Sequence, residues 1–531
     1  MSHDRAFGPG PVRVPAGGDW LLWDVAATRT LELQARAACP PGALMRGAGE
    51  AVARLARALA PHARRAWVAA GPGGNGGDGL HAAAQLRQAG LEVDVTLVAD
   101  AAALAAEPAE ALARALEAGC RIDTRLPEAP APLAIDALLG LGASRAPQEA
   151  MGAALETFNA MPGLRLCVDL PSGLHADTGA RLGGTAARGH ATLALLTLKP
   201  GLFTGAGREH AGAVWFDDLT CQPSGELAPA GRLTSVRDVS SALLARSHDS
   251  HKGSFGDVLV VGGAPGMIGA ARLAAQGALA AGPGRVWVSL LDTDQPLADA
   301  QHPEWLWKDR AWLPGRHPLE SDTVVCGCGG GTSVPQALPA LLARSARLVL
   351  DADALNAVAR DATLRRQLRA RRERGQTTVL TPHPLEAARL LGCETRQVQA
   401  DRLRAAADLA RELAAVVLLK GSGSIVCREG MLACINPTGS GSLAVGGTGD
   451  VLAGWIGGLW ASSAHGPGGD DLNTAWRSTL ACAWLHGWCG ERPGASPVRA
   501  GALAQAMAHA AQGWRARAGE AGLSGARACG P

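Results

Sequence analysis

The chain lacks tyrosine entirely, and it lacks an excess of charge of either sign. Its 531 residues contain 50 Lys and Arg against 48 Asp and Glu, which gives a net charge of +2. A nucleic-acid-binding protein concentrates basic side chains on one surface, so this near-neutral balance argues against a nucleic-acid partner. The absence of tyrosine has no functional explanation.

Long apolar segments are also missing. No run of apolar residues is long and uncharged enough to span a bilayer, so we expect no membrane partner. The first residues are rich in Gly and Pro and do not contain the apolar core that a signal peptide needs. We therefore expect a cytoplasmic protein with a flexible tail over residues 1–19.

Paired cysteine motifs are absent as well. The 12 cysteines include no CxxC pair, and Cys326 and Cys328, separated by one glycine, have no second pair at metal-binding spacing. This pattern predicts reduced cysteines packed in a core, not a disulfide framework or a zinc site.

Strand and helix patterns alternate in both halves of the chain. A chain of this length is too long for one core and predicts two domains. The Pro- and Gly-rich composition of residues 221–232 indicates a linker. Alternating strands and helices predict parallel sheets covered on both faces. We expect two α/β domains, at 20–228 and 236–515, followed by a flexible tail at 516–531.

The segment GGTGDVLAG places Asp450 behind three glycines at the start of an apolar helix. Flexible glycines with exposed N–H groups and the positive end of a helix dipole attract phosphate. A carboxylate repels that phosphate, so its presence needs a reason. It is either a general base for phosphoryl transfer or a helix cap, and these four residues alone do not separate the two.

A second glycine-rich loop follows the predicted strand Trp67–Ala70. Residues Gly71–Gly76 satisfy G-x-G-x-x-G, with Asp94 near the distance of a ribose-binding acid. Asn75 and Asp78 have no role in a dinucleotide fingerprint, although they suit a loop that coordinates a cation. A flexible glycine turn is the structural alternative.

Polar residues also end two later apolar strands. Asp136 follows one strand, and Asp169 and Ser172 follow the next. The carboxyl ends of parallel strands line one crevice. We therefore expect these three residues to converge with Asn75.

The motifs GPGGNGGDG, DALLGLG, VDLPSG and LTLKPG together resemble the NAD(P)H-hydrate epimerase family over about residues 20–220. The resemblance implies a Rossmann-like three-layer domain with a potassium ion held by Asn75, Asp136 and Ser172. It implies Asp169 as the general base, with Asp136 as an alternative. The implied substrate-binding residues are Gly74, Asn75, Gly76, Gly77, Asp78, Gly140, Leu141, Gly142, Ala143, Ser144, Arg145, Ala146 and Asp169. The family usually carries two asparagines where this chain has Gly74 and Asn75.

The motifs VLDADALNAVA, VLTPHPLEAARLLG, VLLKGSGSIV and GGTGD resemble the ribokinase-like ADP/ATP-dependent NAD(P)H-hydrate dehydratases over most of 236–515. Asp450 is then the base for phosphoryl transfer from ADP or ATP, with Mg²⁺ accompanying the nucleotide. The implied nucleotide-binding residues are Lys420, Gly421, Ser422, Gly423, Ser424 and Gly449. The implied substrate contacts are Ala270, Gly331, His383 and Asp450. The chain departs from the family at Cys328, usually proline, and at Leu385, usually glycine.

The whole chain therefore resembles the bifunctional NAD(P)H-hydrate repair enzymes. The expected substrates are NADHX and NADPHX, and we expect a homo-oligomer. One alternative is a ribokinase-like small-molecule kinase fused to a non-catalytic Rossmann-like scaffold domain. Another is an NAD-dependent dehydrogenase, for which Gly71–Gly76 is the argument.

Overall fold

The computed structural model describes residues 10–147, 149–223, 225–243, 246–292, 294, 298–309, 319, 322–463, 470–491 and 497–527. The ends of the two predicted tails, 1–9 and 528–531, lie outside these ranges. The chain forms two compact units. The first takes in the described residues up to Pro15 and Trp20–Arg232, and the second takes in Ala16–Asp19 and the described residues from Leu233 onward.

The first unit is a sheet with helices on both faces. Its strands are β1 (Val12–Arg13), β3 (Arg65–Ala70), β4 (Glu92–Leu97), β5 (Arg121–Asp123), β6 (Leu133–Ala137), β7 (Leu164–Val168), β8 (Ala191–Leu195) and β9 (Ala213–Asp217). The short β2 (Leu21–Leu22) and β10 (Gly231–Leu233) pair antiparallel with each other and are not part of this sheet. Its helices are α1 (Val25–Ala38), α2 (Ala43–Leu59), α3 (Gly74–Gln88), α4 (Ala106–Glu117), α5 (Ala150–Ala160) and α6 (Gly207–His210). The sheet order is β1-β9-β8-β7-β6-β3-β4-β5, parallel from β9 to β5.

Alternate residues of the central strands enter two different cores. Val68 and Ile135 belong to one apolar cluster, whereas Trp67 and Ala134 belong to another. Because successive side chains of a strand point to opposite faces, both faces of the sheet are covered. The predicted three-layer α/β fold is confirmed.

The second unit begins with α7 (Val236–Ala242) and contains a larger mixed sheet. Its strands are β11 (Asp257–Gly262), β12 (Arg285–Leu290), β13 (Leu306–Trp307), β14 (Asp322–Cys326), β15 (Arg347–Leu350), β16 (Thr377–Leu380), β17 (Val416–Leu419), β18 (Ile425–Cys427) and β19 (Cys434–Ile435). They run in the order β13-β12-β11-β14-β15-β16-β17-β18-β19, parallel up to β17 and antiparallel thereafter.

The remaining helices of the second unit are α8 (Ile268–Ala281), α9 (Val334–Arg344), α10 (Ala352–Arg360), α11 (Ala362–Ala370), α12 (Pro384–Leu391), α13 (Thr395–Ala400), α14 (Arg402–Leu413), α15 (Thr448–Ser463), α16 (Asp471–Gly490) and α17 (Ala500–Arg527). Gly454 and Gly458 of α15 lie against carbonyl groups of α8, where a Cβ atom would have no room. This close packing fixes the start of α15, which carries Asp450. No helix in the described part of the chain is long and apolar enough to cross a membrane.

Both predicted tails contain regular structure. Val12–Arg13 pair with β9, so a loose tail over the whole of 1–19 is wrong for these two residues, because their backbone groups join the sheet. At the other end, α17 continues to Arg527, so most of the segment 516–531 is helical.

Candidate active sites

The first unit contains a cavity of about 460 Å³ at the carboxyl ends of its central strands. The predicted residues that line it are Gly74, Asn75, Asp78, Gly140, Leu141, Gly142, Ala143 and Asp169. Gly76 and Gly77 instead pack inward, against the backbone of Gly71 and the side chain of Met45. Ser144, Arg145 and Ala146 follow the lining segment in sequence and are not part of the lining.

Asp136 and Ser172 are brought together, as the crevice hypothesis predicts. The Asp136 carboxylate accepts hydrogen bonds from the Ser172 amide (2.8 Å), the Ser172 hydroxyl (2.6 Å) and the Leu138 amide (3.2 Å). Asp136 is 0 % exposed, and burial raises its pKa to about 6. These bonds hold the turns after β6 and β7 against each other.

Asn75, the third predicted cation ligand, has a side chain without hydrogen-bond partners. It lies in the first turn of α3 and is buried, yet neither its side-chain nitrogen nor its side-chain oxygen has a hydrogen-bond partner. A buried amide without partners is costly and needs an explanation such as an ion or ligand. Oxygen donors from an amide, a carboxylate and a hydroxyl suit a hard cation. Asn75, Asp136 and Ser172 therefore fit a potassium ion by the chemistry of their donor atoms.

Asp169 lies in a strained conformation and is paired with a lysine that the sequence analysis missed. Its φ of +64° is in the left-handed region, which costs a non-glycine residue on the order of 1–3 kcal/mol and is typical of functional sites. The Lys199 ammonium donates to the Asp169 carboxylate and, at 2.7 Å, to the Leu195 carbonyl. Lys199 is 1 % exposed. The motif LTLKPG contained this lysine, but no spacing rule connects it with Asp169.

Asp78 lines the same cavity as Asp169. Burial raises its pKa well above the usual value, and the negative charge of Asp169 raises it further. The cavity therefore holds one carboxyl group balanced by a buried ammonium and another that favours its protonated form. Two carboxyl groups in such different surroundings are suited to moving a proton.

The dinucleotide interpretation of Gly71–Gly76 does not extend to Asp94. Asp94 pairs in register with Trp67 within the sheet, and its carboxylate accepts from Arg65 at 2.8 Å. It lies near the start of β4, whereas ligands of parallel α/β sheets bind at the carboxyl ends of strands. A ribose-binding role for Asp94 is therefore wrong.

In the second unit, Asp450 is the third residue of α15. The Val451 amide donates to the Gly447 carbonyl at 3.1 Å, so Gly447 precedes the first helical residue. The N-cap is the residue just before the first helical residue, and here that residue is Gly447. Asp450 is therefore not the N-cap of α15. Burial, and then the charge of Asp351, raises the pKa of Asp450 to about 6.

Asp351, at the end of β15, connects Asp450 with Lys420. The Cys328 thiol and the carboxylates of Asp351 and Asp450 lie within 4.8 Å of one another. The Lys420 ammonium donates to Asp351 Oδ1 at 2.7 Å, and the Thr381 hydroxyl donates to the same oxygen at 2.8 Å. The motif VLDADALNAVA contains Asp351, but the sequence pattern alone predicts no role for it.

The predicted nucleotide loop connects β17 to the antiparallel β18. Lys420 directly follows β17, and a Cβ atom on Gly449 would lie 3.4 Å from its ammonium nitrogen. The Ser424 hydroxyl accepts from the Gly421 amide at 3.2 Å, which closes the loop on itself. The structure therefore brings the 420–424 loop and the GGTGD turn together beside Asp351.

His383 caps α12 through its ring. Its Nδ1 accepts from the amides of Leu385 (3.1 Å) and Glu386 (3.2 Å), while its Nε2 lies 3.2 Å from the Glu386 carboxylate. Burial, and then the charge of Lys420, lowers the pKa of His383. Nδ1 is therefore occupied by the helix cap, whereas the His383 side chain as a whole is 46 % exposed. Leu385 is 45 % exposed.

Ala270 lies in the first turn of α8, close to the glycine-rich turn that contains Gly331. A Cβ atom on Gly329 would lie 2.9 Å from the Cβ of Ala270, and the Gly331 amide donates to Asp353 at 2.8 Å. Cys326 and Cys328 are buried, and the cysteines among the described residues are free thiols. In addition to packing, Cys328 lies beside Asp450.

Family models match both units. The model described as NAD(P)H-hydrate dehydratase matches residues 258–512, and the model described as YjeF-related protein N-terminus matches residues 41–201.

Two bacterial relatives are similar along most of their length. The chain is 36 % identical to the bifunctional NAD(P)H-hydrate repair enzyme Nnr of Escherichia coli, over 78 % of this chain and 80 % of that protein. It is 36 % identical to the enzyme of the same name from Coxiella burnetii, over 79 % of this chain and 85 % of that protein. A solved ADP/ATP-dependent NAD(P)H-hydrate dehydratase from Bacillus subtilis is 29 % identical, covers 53 % of this chain and 98 % of its own, and has a TM-score of 0.45.

Proposed function

The chain belongs to the family of bifunctional NAD(P)H-hydrate repair enzymes, and we propose that its two units divide the repair between them. The protein is an enzyme that restores hydrated nicotinamide cofactors. It interconverts the R and S epimers of the hydrate and dehydrates the S epimer with ADP, releasing NAD(P)H, AMP and phosphate. We assign epimerisation to the first unit and dehydration to the second, because the respective family models match those units.

For epimerisation, we assign Asp169 as the general base at the nicotinamide ring. Lys199 donates a hydrogen bond to its carboxylate, and Asp78, whose pKa is raised by burial, is the group that returns a proton. Asp136 is fully buried behind the cavity and bonded to Ser172, which makes it less suited to reach the substrate. A potassium ion on Asn75, Asp136 and Ser172 would supply positive charge near the dinucleotide.

For dehydration, Asp450 takes the proton from the substrate hydroxyl. The oxygen attacks the terminal phosphorus of the nucleotide, and the bond to the leaving AMP breaks. Phosphate is a better leaving group than hydroxide, so elimination then restores the dihydronicotinamide ring. N–H groups of the 446–449 turn stabilise the transferring phosphoryl group, and Lys420 binds the nucleotide phosphates.

One observation carries this assignment: Asp450 lies inside the first helical turn, behind a glycine turn and beside the Lys420–Asp351 pair. Mg²⁺ prefers carboxylate and phosphate oxygens, and Asp351 and Asp450 supply the carboxylates beside which the nucleotide would bring it. ADP is the proposed donor. We further propose NADHX and NADPHX as substrates, a homo-oligomeric assembly and a cytoplasmic location.

The test is to add purified protein to a mixture of both hydrate epimers with ADP or ATP. We expect absorbance of the reduced nicotinamide to return as free phosphate appears. A ribokinase-like kinase would instead accumulate a stable phosphorylated product, which would contradict the dehydratase assignment.

A further inference from the structure

A buried arginine lies directly beneath the 420–424 loop. Arg402 is the first residue of α14, and its position is fixed because Asp401 caps this helix by accepting from the Arg404 amide at 3.0 Å. The side chain of Arg402 is 1 % exposed. Its guanidinium therefore acts on the loop from within the protein.

The guanidinium of Arg402 binds the backbone on both sides of the loop. It donates to the carbonyls of Leu419 (3.4 Å), Lys420 (3.2 Å) and Gly423 (3.5 Å), and a second nitrogen donates to the Gln399 side chain at 2.8 Å. One rigid planar group thus connects the end of β17 with the far side of the loop.

Gly421 shows how closely the loop approaches this group. Its φ is +134°, and a Cβ atom there would lie 2.9 Å from two guanidinium nitrogens of Arg402. Only glycine fits both the backbone conformation and the contact. The loop conformation and the arginine are therefore matched to each other.

The carbonyl contacts also set the direction of the loop amides. In a trans peptide the N–H points opposite to the preceding C=O. Because the carbonyls of Lys420 and Gly423 face Arg402, the N–H groups of Gly421 and Ser424 face away from it. On that side of the loop, the Gly421 N–H donates to the Ser424 hydroxyl at 3.2 Å.

We propose that Arg402 is a positioning residue for the donor nucleotide, holding the 420–424 loop and Lys420 in the conformation that binds phosphate. This inference rests on the proposed dehydratase function of the second unit. The guanidinium also places a buried positive charge under the loop. Burial lowers the pKa of Arg402 only to about 10, so the group stays charged at neutral pH.

A merely structural role is the competing explanation, and the same unit provides a matched control. Arg371 is also 1 % exposed, and it donates to the carbonyls of Leu342 (2.9 Å) and Thr377 (3.1 Å). These partners lie in α9 and β16, outside the 420–424 loop. Replacing either arginine removes a comparable buried group, but only Arg402 contacts the loop.

The experiment compares Arg402→Lys and Arg402→Met with Arg371→Lys and Arg371→Met in the full chain. Titration calorimetry gives Kd for ADP, steady-state assays give kcat and separate KM values for ADP and hydrate, and thermal melting reports stability. For Arg402→Lys we expect about tenfold weaker ADP binding, the scale of a lost hydrogen bond to a charged group, with the KM for hydrate nearly unchanged. Arg371→Lys should lower Tm without changing Kd for ADP.

Gly421→Ala supplies a second variant in case both Arg402 variants fail to fold. Its side chain would press on the guanidinium from a partly exposed loop, and it should likewise weaken ADP binding. The same substitution at Gly430 is its control, since φ is +78° there and no atom lies within 4 Å of the added Cβ. If Gly421→Ala and Gly430→Ala bind ADP equally, the inference is wrong.

The outcomes separate the two proposals. A wild-type protein that binds no ADP overturns the proposed function and this inference with it. A wild-type protein that binds ADP, together with an Arg402→Lys variant of unchanged Kd, overturns the inference alone. Equal losses of ADP binding in the Arg402 and Arg371 variants would also overturn it.

Discussion

The two units place their key carboxylates in opposite settings. In the first unit, Asp169 is held in a left-handed conformation, and Lys199 balances its charge inside the protein. In the second unit, Asp450 has an ordinary helical position, and the nearby Lys420 is already paired with Asp351. Burial and the charge of Asp351 therefore raise the pKa of Asp450 to about 6.

This difference corresponds to two kinds of chemistry. The proposed base Asp169 lies beside a buried cation and shares a cavity with Asp78, whose pKa is raised, so these groups can move a proton without a second substrate. The groups around Asp450 include a lysine and a glycine turn that favour a bound phosphate. The comparison predicts that damage to one site leaves the other active.

The largest effect is expected from Asp450→Asn, which removes the base but keeps the side-chain size. General-base catalysis contributes on the order of 10²–10⁴-fold, so dehydration should fall by at least that range. ADP binding should persist or tighten because repulsion of the phosphate is relieved, and epimerisation should not change. Turnover within a few-fold of wild type would show that Asp450 is not the base.

Asp361→Ala is the control for this variant, because asparagine caps a helix about as well as aspartate does, whereas alanine does not. Asp361 caps α11 by accepting from the Thr363 amide at 2.7 Å, so its loss tests capping alone. We expect a lower Tm by thermal melting and unchanged dehydration.

Lys199→Met should damage only the first site. Breaking a buried ion pair leaves Asp169 without its counter-charge, which typically costs about 3–5 kcal/mol of stability. Epimerisation should fall by about a hundredfold or more if Asp169 works as the base. Assays of pure S hydrate with ADP should show unchanged dehydration in protein that is still folded. Normal epimerisation by this variant would exclude Lys199 from the site.

The pH dependence of dehydration should reflect Asp450. Because the folded-state pKa is raised to about 6, the base is protonated below that pH, and kcat/KM should fall about tenfold per pH unit there. Above pH 6 the base is charged and kcat/KM should level off. The variant Asp450→Asn should lack this acidic limb; an identical limb in the variant would assign the titration to another group.

The smallest effect concerns Gly74, where the related enzymes usually carry asparagine. A Cβ atom at Gly74 would meet nothing within 4 Å, so Gly74→Asn should fold normally and improve epimerisation a few-fold through about one added hydrogen bond to substrate. Gly76→Asn is the control, because a Cβ there would strike the Gly71 backbone and should destabilise the unit. Slower epimerisation by Gly74→Asn would contradict a role for this added side chain in binding the substrate. Steady-state epimerisation assays decide this.

Much of the fold was predictable from alternating strand and helix patterns. The convergence of Asp136 with Ser172 was also predictable, because parallel strands end at one edge of the sheet. The spacing of Asp94 left the dinucleotide alternative open, because spacing alone does not say at which end of a strand a residue lies.

Lys199 and Asp351 were missed for a related reason. Lys199 meets Asp169 from 30 residues away, and Lys420 meets Asp351 from 69 residues away. No local pattern encodes contacts at such separations. Likewise, only the structure shows that Nδ1 of His383 caps α12.

The most direct test of the division of labour uses full-length Asp169→Asn with an equimolar mixture of R and S hydrates and excess ADP. The account predicts rapid recovery of about half of the reduced cofactor, followed by a slow phase limited by spontaneous epimerisation. Asp450→Asn in the same assay should recover almost none while still interconverting the epimers. Complete rapid recovery by the Asp169→Asn variant would contradict the assignment of epimerisation to Asp169 in the first unit.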